Sequence, residues 1–584
     1  MWDERFPEGV WLCDFEFRPK NGREGNLPEP VCMVALNMHT GETRRIWRDE
    51  LEQIGTPPFP AGRGALFVAY YASAEMGCFL ALGWPVPVNI LDLFVEFRQF
   101  TNGKPAPAGQ SLLGAMAYFG LDAVDADEKS AMRALILRGG PWNIDEQAQI
   151  LEYCRADVLA LSRLLPTMAS HIDLPRALLR GQYAVAAAHM EHAGVPLDTP
   201  TLEALNAHWQ GIEQGLVHAV DTSFGVFEGT TFKMARFRRY LEINRIGWPQ
   251  LPSGSLDLSD DTFRDMAVIH PQLSPLRELR GSLAKFRQLN LSVGEDGRNR
   301  CLLSMFRSKT GRNQPSNSRF IFGPSVWLRS LIKPVAGMGL AYVDWSQQEF
   351  GIAAALSGDP MMMEAYRSGD PYLRFAILAG AVPACATPQS HGAEREQFKA
   401  CVLAVQYGMG AENLAYRIKQ PIARARQLLD LHRRTFKIFW AWSEGVLNGA
   451  LLTGRLWTAF GWQIFAGDCT NTRSLRNFPM QANGAEMLRL ACIGLARSGV
   501  RVCAPIHDAV LIEAPLDQLQ DAIQLTQRTL RDASAAVLSG FELGSEAKVV
   551  RYPERYRDER GAMMWGLVTE QLGQRISGGQ IVSA

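Results

Sequence analysis

Asp344 and Asp508 are the first candidates for chemistry, because each stands at the end of an apolar segment. Asp344 follows the run LAYV and precedes a helical pattern that includes Ile352 and Leu356. The order strand, acid, helix would hold one carboxylate rigidly at a metal site. Asp508 follows His507 between two apolar runs, a pattern that predicts a β-hairpin with both polar residues at its tip. A single aspartate at a strand end is more often a cap or turn residue, so Asp344 alone does not indicate function.

A third segment, residues 395–409, combines cations with apolar and aromatic groups at helical spacing. Arg395, Lys399, Leu403 and Tyr407 recur every four residues. They would form one stripe, about 18 Å long, on the face of a helix. Two cations, an apolar residue and a phenol would suit a nucleoside triphosphate, with the cations at the phosphates. A solvated helix face with two basic residues is the alternative interpretation.

The N-terminal part of the chain carries a separate set of acids. The run VWLCDFEF predicts a strand, and alternation along a strand puts Asp14 and Glu16 on the same face. Further on, IDEQAQILEYCRADVLALSRLL predicts a long amphipathic helix, in which Tyr153 and Asp157 lie four residues apart on one face. Two elements of the N-terminal region therefore present acidic or phenolic groups.

Three of these segments, in this order, resemble the catalytic motifs of family A DNA polymerases, the DNA polymerase I type. DWSQQE from Asp344 resembles the first motif, and the spacing Arg-x3-Lys-x3-apolar-x3-Tyr-Gly, closed by Gly408, resembles the fingers helix. The sequence HDA from His507 resembles the His-Asp-Glu motif. Two departures are Leu403, where the family usually has Phe or Tyr, and Ala509, where it has an acid. The resemblance spans roughly residues 185 to 560.

The resemblance implies a role for each matched residue. Asp344 and Asp508 would bind two Mg²⁺ ions, with Mn²⁺ as a possible substitute, roughly 3.5–4 Å apart at the reacting phosphate. Lys399 would also donate a proton to the leaving pyrophosphate, and Glu349 would exclude a ribose 2′-OH. The residues assigned to the nucleotide are Gln347, Glu349, Arg395, Lys399, Leu403, Tyr407 and Gly408.

Smaller matches imply contacts with DNA. The segment NFPMQ, residues 477–481, resembles the palm segment that contacts primer and template, and Asn and Gln amides suit minor-groove acceptors. Thr-Gly-Arg occurs at residues 310–312 and again at 453–455, as in the family. The residues assigned to DNA are Arg312, Arg455, Arg473, Asn477, Gln481 and His507.

The order of acids in the N-terminal part resembles the DEDD 3′–5′ exonucleases of family A polymerases, in the subtype with a tyrosine. The match covers about residues 8 to 170, and Tyr153 stands at the place of the family tyrosine. The resemblance implies two Mg²⁺ ions that position a water for attack on a phosphodiester. The acids that match directly are Asp14, Glu16 and Asp157. An inactive, structural ribonuclease-H-like domain is the alternative.

The fourth acid of the exonuclease motif has two candidates, Glu75 and Asp92. Glu75 follows a strand-like run and opens a helical pattern, as the family's second motif does, although the family has aspartate there. Asp92 comes 17 residues later, where the family commonly has a structural aspartate. We therefore assign the metal role to Glu75, with Asp92 as the open alternative.

These resemblances imply a multidomain protein of α/β and α+β class. A ribonuclease-H-like exonuclease domain (1–170) would precede a right-hand polymerase. That polymerase would have a helical thumb (175–300), a palm with an antiparallel sheet (301–360 and 445–584) and helical fingers (361–444). The segment PTMASHIDLP breaks two helical patterns and marks the predicted domain boundary. No 5′ nuclease sequence precedes the exonuclease, so we expect the layout of the Klenow fragment.

Composition is consistent with an enzyme that uses local charge. The 584 residues have 47% hydrophobic content and zero formal net charge, which argues against DNA binding by bulk charge. Residues 417–437 nevertheless contain seven Lys or Arg and one Asp, a formal charge of +6. Clusters of basic residues like this one can contact phosphates, although each cluster is also compatible with a solvated helix face.

The remaining expectations concern environment and partners. The ten cysteines lack zinc-binding spacing, so we expect them to be reduced and mostly buried. Without a signal peptide or a transmembrane-length run, we expect a cytoplasmic monomer from a bacterium, a phage or a plasmid. Its partners would be primer–template DNA and dNTPs, and a processivity factor or helicase stays an open question.

Two rival functions share parts of this pattern. A single-subunit RNA polymerase of the phage type shares the palm, but Glu349 and the exonuclease motifs argue against it. A non-catalytic DNA-binding protein that kept the fold is the other rival, and the pair Asp344 and Asp508 with the fingers helix argues against that.

Overall fold

The structure is a computed structural model that describes residues 4–122, 126–287, 290–406, 408–467 and 471–581. The chain divides into two compact units, and neither is continuous in sequence. The first unit comprises Met1–Gly194, Val293–Pro315 and Leu340–Val549, and the second comprises Val195–Ser292, Ser316–Gly339 and Val550–Ala584.

A five-stranded mixed sheet organises the N-terminal part of the first unit. Its strands are β1 (Gly9–Pro19), β2 (Pro28–Asn37), β3 (Thr43–Trp47), β4 (Ala65–Ala69) and β5 (Ile90–Asp92). The spatial order is β3-β2-β1-β4-β5, antiparallel from β3 to β1 and parallel from β1 to β5. Apolar side chains along β1 and β4 are buried, so the central strands are held by packing on both faces.

Helices cover this sheet. They are α1 (Arg48–Leu51), α2 (Ala72–Leu82), α3 (Leu93–Thr101), α4 (Leu112–Tyr118), α5 (Ala126–Arg138), α6 (Ile144–Met168) and α7 (Leu174–Ala193). Helix α6 is the predicted long amphipathic helix. A capping box formed by Asn143 and Glu146 fixes its start, and its buried face packs on β1 and β2.

The break between α6 and α7 falls inside the segment that was predicted to separate two domains, yet both helices belong to the first unit. Arg180 on α7 makes a buried bidentate ion pair with Glu96 on α3, with two nitrogen–oxygen distances of 2.7 Å. Gly181 lies so close to the backbone of Ile90 that an added Cβ would collide with its carbonyl oxygen. This glycine therefore allows α7 to pack directly against the end of the sheet.

The second unit is mostly helical. Its elements include β6 (Val195–Pro196), α8 (Thr199–Asp221), β7 (Phe227–Glu228), β8 (Thr231–Phe232), α9 (Met234–Ile243), α10 (Asp260–Ile269) and α11 (Ser274–Arg287). Helix α8 packs against a 3-10 helix at Val326–Leu331 and against the C-terminal helix Glu559–Ile581. Asp198 caps α8 and accepts a hydrogen bond from Arg555 at 2.9 Å.

A four-stranded sheet lies in the C-terminal part of the first unit. The strands in this region are β9 (Arg298–Asn299), β10 (Met338–Trp345), β11 (Arg455–Trp457), β12 (Gln463–Phe465), β13 (Arg501–Ile506), β14 (Ala509–Pro515) and β15 (Ser545–Arg551). The order of the sheet is β13-β14-β10-β15. Strands β13 and β14 form an antiparallel hairpin in which Ile506 pairs with Ala509. The predicted hairpin with His507 and Asp508 at its tip is therefore confirmed.

Nine helices, α12 to α20, lie between β10 and β15 in the described part of the sequence. They are α12 (Gln348–Ser357), α13 (Pro360–Arg367), α14 (Pro371–Leu378), α15 (Gly392–Gln406), α16 (Ala411–Ile418), α17 (Ile422–Thr435), α18 (Lys437–Thr453), α19 (Thr472–Arg497) and α20 (Leu519–Val537). Helix α12 begins directly after β10, as the strand–acid–helix pattern predicted. The sequence pattern also predicted the helix α15.

The mixed α/β, multidomain composition is confirmed. The two compact units group the chain differently from the predicted domain boundaries, because residues 316–339 and 550–584 join the helical segment 195–292. The division into exonuclease domain, thumb, palm and fingers stays a prediction. All nine cysteines in the described parts of the chain are free, and seven of them are buried. A search of the described helices finds none that is both long and apolar enough to cross a membrane.

Candidate active sites

Asp344 and Asp508 come together although they are far apart in sequence. Asp344 is the penultimate residue of β10, and Asp508 lies at the tip of the hairpin whose second strand, β14, is the neighbour of β10. The backbone N–H of Trp345 donates to the backbone carbonyl of Asp508 at 3.4 Å. Burial and the nearby Asp508 raise the pKa of Asp344 to about 6, and burial also raises the pKa of Asp508. A divalent cation would relieve this repulsion, so the pair fits a metal site.

The sequence analysis missed Glu546, a third acid beside this pair. It lies on β15, the other neighbour of β10, and its charge contributes to the raised pKa of Asp344 after burial and Asp508. The hydroxyl of Ser346 donates to Glu546 Oε1 at 3.3 Å. Alternation in SEAKVV puts Glu546 and Lys548 on one strand face. No sequence pattern near β15 predicts its pairing with β10, which lies about 200 residues away in sequence.

Helix α15 carries the predicted cation stripe. Arg395, Lys399 and Leu403 are partly exposed, whereas Phe398 and Val402 between them are buried. Tyr407, the last member of the stripe, lies outside the described residues. The stripe is therefore the solvent-accessible side of a helix whose other side packs in the core.

The two cations of α15 face an acid and a ring on the neighbouring α14. Arg395 Nε donates to Asp370 Oδ2 at 2.5 Å, and this bond raises the pKa of Arg395. The Arg395 guanidinium and the Lys399 ammonium lie 5.6 and 5.9 Å from the ring centroid of Tyr372. The sequence analysis assigned no role to Asp370 or Tyr372, and the structure places both beside the stripe.

Arg312, which was predicted to contact DNA, lies near the carboxylates. Its Nη2 is 3.8 Å from Glu349 Oε1, and its charge lowers the pKa of Asp508 against the effect of burial. Glu349 is in the first turn of α12, and its charge adds to burial and to the charges of Asp370 and Glu396 in raising the pKa of Tyr372. Gln347 precedes α12 with a left-handed backbone, φ 44°. Glu349 therefore lies close to Arg312, and its charge also acts on Tyr372 beside the cation stripe.

Part of the predicted DNA-binding set lines one cavity. Asn477 and Gln481 lie four residues apart on α19, and both are partly exposed. Arg473, Asn477 and Gly408 line a cavity of about 430 Å³. Arginines of the basic segment 417–437 line it too, and one of them, Arg433, lies 4.5 Å from the ring centroid of Trp440. The cavity thus brings together cations that the sequence placed about 50 residues apart.

The other two DNA candidates lie at exposed positions. His507 is exposed at the hairpin tip with φ 53°, which directs the chain sharply from β13 into β14. Arg455 begins β11, and its guanidinium is 5.2 Å from the ring centroid of Trp457. Both side chains are accessible to a ligand of the first unit.

In the N-terminal part, Asp14, Glu16 and Asp157 form a tight cluster. One carboxylate oxygen from each lies within 4.8 Å of the others. Burial and the charge of Asp157 raise the pKa of Asp14 to about 8, and burial with Asp14 raises the pKa of Glu16 well above its usual range. Lys129 Nζ, on α5, lies 3.0 Å from Asp157 Oδ2. One buried acid and two half-buried acids with one nearby ammonium fit a divalent cation as their counterion.

Glu75 and Asp92 occupy different environments near this cluster. Glu75 is 3% exposed, and its Oε2 accepts the backbone N–H of Phe15 at 3.0 Å. Burial and the charges of Asp14 and Glu16 raise its pKa, so it is close to both, but it is not a member of the cluster of three. The Asp92 carboxylate accepts three backbone N–H groups at 2.9–3.0 Å, those of Tyr71, Ala72 and Phe94.

The cluster opens into a cavity of about 860 Å³. Tyr153, on α6, is 8% exposed, and burial and the charge of Asp157 raise its pKa, so it stays a neutral phenol. Residues from two distant parts of the chain line the cavity: Asp14, Tyr70, Tyr71, Phe94, Arg98, Gln110, Ser111, Leu112, Lys129, Arg133, Asp157, Leu302, Ser304, Met305, Arg307 and Gln314. Segment 302–314 was not predicted to border the N-terminal acids.

Comparison with known proteins places the polymerase part of this chain. Residues 322–548 match the model of DNA polymerase family A. DNA polymerase I of Aquifex aeolicus is 22% identical over 68% of this chain and 75% of its own length. The thermostable DNA polymerase I of Thermus thermophilus is 24% identical over 59% of this chain, which covers 44% of that protein. The chain therefore spans less than half of the Thermus relative.

The fold has a counterpart among solved structures. The POL domain of Pol1 from M. smegmatis, in complex with DNA primer-template and dNTP, superimposes with a TM-score of 0.65. The superposition covers 94% of this chain and 96% of that one at 19% identity.

These matches show similarity to DNA polymerases in overall fold and in one matched region of the sequence. More specifically, residues 322–548, which contain Asp344, Asp508 and the cation stripe, match the model of DNA polymerase family A. The polymerase resemblance of the sequence is confirmed, while the exonuclease resemblance stays a prediction.

Proposed function

We propose that this chain catalyses template-directed DNA synthesis from dNTPs by two-metal phosphoryl transfer. The observation that carries the proposal is the meeting of Asp344, on β10, with Asp508, at the tip of the neighbouring hairpin, within residues 322–548. Its relatives are DNA polymerases I, and the Pol1 domain of similar fold was solved with primer-template and dNTP. We propose primer–template DNA and dNTPs as its partners. We also propose that it acts in the bacterial cytoplasm, encoded by the bacterium itself or by a phage or plasmid.

The residues around the carboxylate pair have separate proposed roles in the reaction. Two Mg²⁺ ions held by Asp344 and Asp508 would stabilise charge on the attacking and leaving oxygens. Arg395 would exchange the Asp370 carboxylate for oxygens of the triphosphate, and Lys399 would bind beside it and donate a proton to the leaving pyrophosphate. Both cations lie on the accessible side of α15.

We also propose 3′–5′ hydrolysis of DNA in the N-terminal part. Support comes from the cluster of Asp14, Glu16 and Asp157, two of which line a cavity of about 860 Å³, and from the Tyr153 phenol, whose pKa the charges of all three acids raise. An inactive, structural domain is the second candidate. The ion pair between Lys129 and Asp157 favours it, because the ammonium would compete with a metal ion for the same carboxylate.

Sugar selection gives a first prediction. Glu349→Ala should lower the preference for dNTPs over rNTPs about tenfold or more, because a smaller side chain leaves room for the 2′-OH. Glu349→Gln, of equal size, is the control and should keep most of the preference. The measurement is single-nucleotide incorporation opposite one template base with each sugar. An unchanged sugar preference in Glu349→Ala would remove this role. A wild type that prefers rNTPs would favour the RNA polymerase alternative.

Glu546 gives a second prediction, since it can supply the third carboxylate that Ala509 does not. Glu546→Gln should weaken Mn²⁺ binding and primer extension about 10- to 100-fold, as the loss of a carboxylate beside metal ligands does. Mn²⁺ binding is measured by electron paramagnetic resonance of the free ion. The variant Ala509→Glu, combined with Glu546→Gln, should recover part of the loss. Unchanged Mn²⁺ binding in Glu546→Gln would show that this acid only neighbours the site.

A further inference from the structure

The phenol of Tyr366 links two strands at the edge of the four-stranded sheet. Tyr366 lies on α13 and is 9% exposed, and the centroid of its ring is 5.6 Å from that of Phe541. Its hydroxyl donates to the backbone carbonyl of Ser346 and accepts the backbone N–H of Gly544, both at 3.0 Å. Burial raises the pKa of this phenol to about 12, so the hydroxyl stays protonated and can make both bonds at once.

The strands that the phenol links, β10 and β15, are neighbours in the sheet. Two backbone hydrogen bonds give their direction and register: Ser346 N–H to the Gly544 carbonyl at 2.9 Å, and Tyr552 N–H to the Met338 carbonyl at 3.3 Å. Residue numbers rise along one strand as they fall along the other, so the pair is antiparallel. The shared register places Asp344 directly opposite Glu546.

One hydrogen bond of this ladder runs through the phenol. Residues that face each other in a hydrogen-bonded pair of antiparallel strands exchange two bonds. Ser346 and Gly544 make the first of these directly. The second would run from the N–H of Gly544 to the carbonyl of Ser346, and the Tyr366 hydroxyl is inserted between those two groups. The hydroxyl therefore sets how far apart the two strands lie at this end.

This end of the ladder carries the acids of the polymerase site. Alternation puts Asp344 and Ser346 on one face of β10, and opposed residues such as Asp344 and Glu546 have Cβ atoms about 4.5–5.5 Å apart. The Ser346 hydroxyl donates to Glu546 Oε1 at 3.3 Å, and the charge of Glu546 adds to burial and Asp508 in raising the pKa of Asp344. The separation of the strands thus determines the separation of the two carboxylates.

We propose that Tyr366 is a positioning residue, whose hydroxyl holds the Asp344 and Glu546 carboxylates at the separation that a pair of divalent cations requires. The inference rests on the proposed two-metal DNA synthesis and deepens it. Without the hydroxyl, the N–H of Gly544 and the carbonyl of Ser346 lose the group that joins them, and the spacing of the strands can change. Helix α13 therefore contributes to the metal site without supplying a ligand.

The test is Tyr366→Phe, which removes the hydroxyl and keeps the ring. Mn²⁺ binding to the full chain without DNA, measured by electron paramagnetic resonance of the free ion, should weaken about tenfold. Mn²⁺ that still binds to Asp344→Ala belongs to other sites and is subtracted. In primer extension, kcat should fall about tenfold, with the KM for dNTP within about twofold of wild type. Tyr118→Phe, whose ring packs against Phe97 in the first unit, is the matched control and should behave as wild type in both measurements.

A double variant tests whether the hydroxyl acts through Glu546. Tyr366→Phe combined with Glu546→Gln should bind Mn²⁺ within about twofold of Glu546→Gln alone, because the carboxylate that the hydroxyl positions is already lost. If the two losses multiply instead, the hydroxyl does not act by positioning Glu546, and the proposal is overturned.

The outcomes separate the positioning role from the proposed function. Wild-type Mn²⁺ affinity and kcat in Tyr366→Phe would overturn the positioning role, even if the melting temperature fell, because the hydroxyl would then only stabilise the fold. A raised KM for dNTP with unchanged Mn²⁺ affinity would also overturn it. A wild type that extends no primer would overturn the proposed DNA synthesis, and the Mn²⁺ affinity of Tyr366→Phe would still decide the positioning role.

Discussion

Asp344→Ala and Asp508→Ala should each reduce primer extension by about three orders of magnitude or more, while digestion of a single strand stays near the wild-type rate. Each change removes one of two carboxylates that meet where β10 ends beside the tip of the neighbouring hairpin, and residues that act as a unit fail together. The double variant should therefore be no worse than either single one. Extension is measured on a primer–template with Mg²⁺ and all four dNTPs.

The control for these variants is Asp517→Ala, an exposed acid just after β14. This variant should extend the primer at the wild-type rate. Retained digestion by Asp344→Ala and Asp508→Ala would show that the first unit is folded. Extension at the wild-type rate by either variant would remove that residue from the active site.

Asp14→Asn should abolish digestion of a 3′-labelled single strand, with a loss of about three orders of magnitude, and leave primer extension unchanged. The side chain keeps its shape, but the cluster of Asp14, Glu16 and Asp157 loses a charge that a metal ion needs. Asp145→Asn, exposed in the first turn of α6, is the matched control. An inert wild type would favour the structural domain instead.

Two further variants settle the fourth acid. If Glu75 contributes to metal binding, Glu75→Gln should lose digestion and keep its melting temperature. Asp92→Asn should mainly lower the melting temperature, because its carboxylate accepts backbone N–H groups at the starts of α2 and α3. Normal digestion by Glu75→Gln would leave its hydrogen bond to Phe15 as its role. Loss of digestion in a stable Asp92→Asn would reverse the assignment.

Local patterns predicted the elements on which the polymerase site is built. The apolar run before Asp344, the two runs around His507 and Asp508, and the four-residue spacing from Arg395 gave a strand, a hairpin and a helix, and all three are present. In each case the signal lies within about 15 residues, where periodicity reflects burial directly.

Contacts between segments that are distant in sequence could not be predicted from local patterns. Glu546 meets the site through the pairing of β15 with β10, and Arg307 reaches the N-terminal cavity through segment 302–314. The residues that flank Glu546 and Arg307 in sequence form no pattern that predicts these contacts. Arg312 matched a DNA-binding motif, and only the fold shows that it lies near Glu349 and Asp508. The grouping of residues 316–339 and 550–584 with a helical segment far away in sequence had no local signal either.

The most direct test of the central claim is extension by the wild type of a primer whose 3′ end is either matched or mismatched to the template, with Mg²⁺ and one dNTP at a time. We predict that only the dNTP complementary to the template base extends the matched primer, and that the mismatched end is shortened before it is extended. Incorporation that does not follow the template, or no incorporation with any dNTP, would contradict template-directed DNA synthesis. Extension of the matched primer without shortening of the mismatched one would leave the polymerase in place and remove the exonuclease.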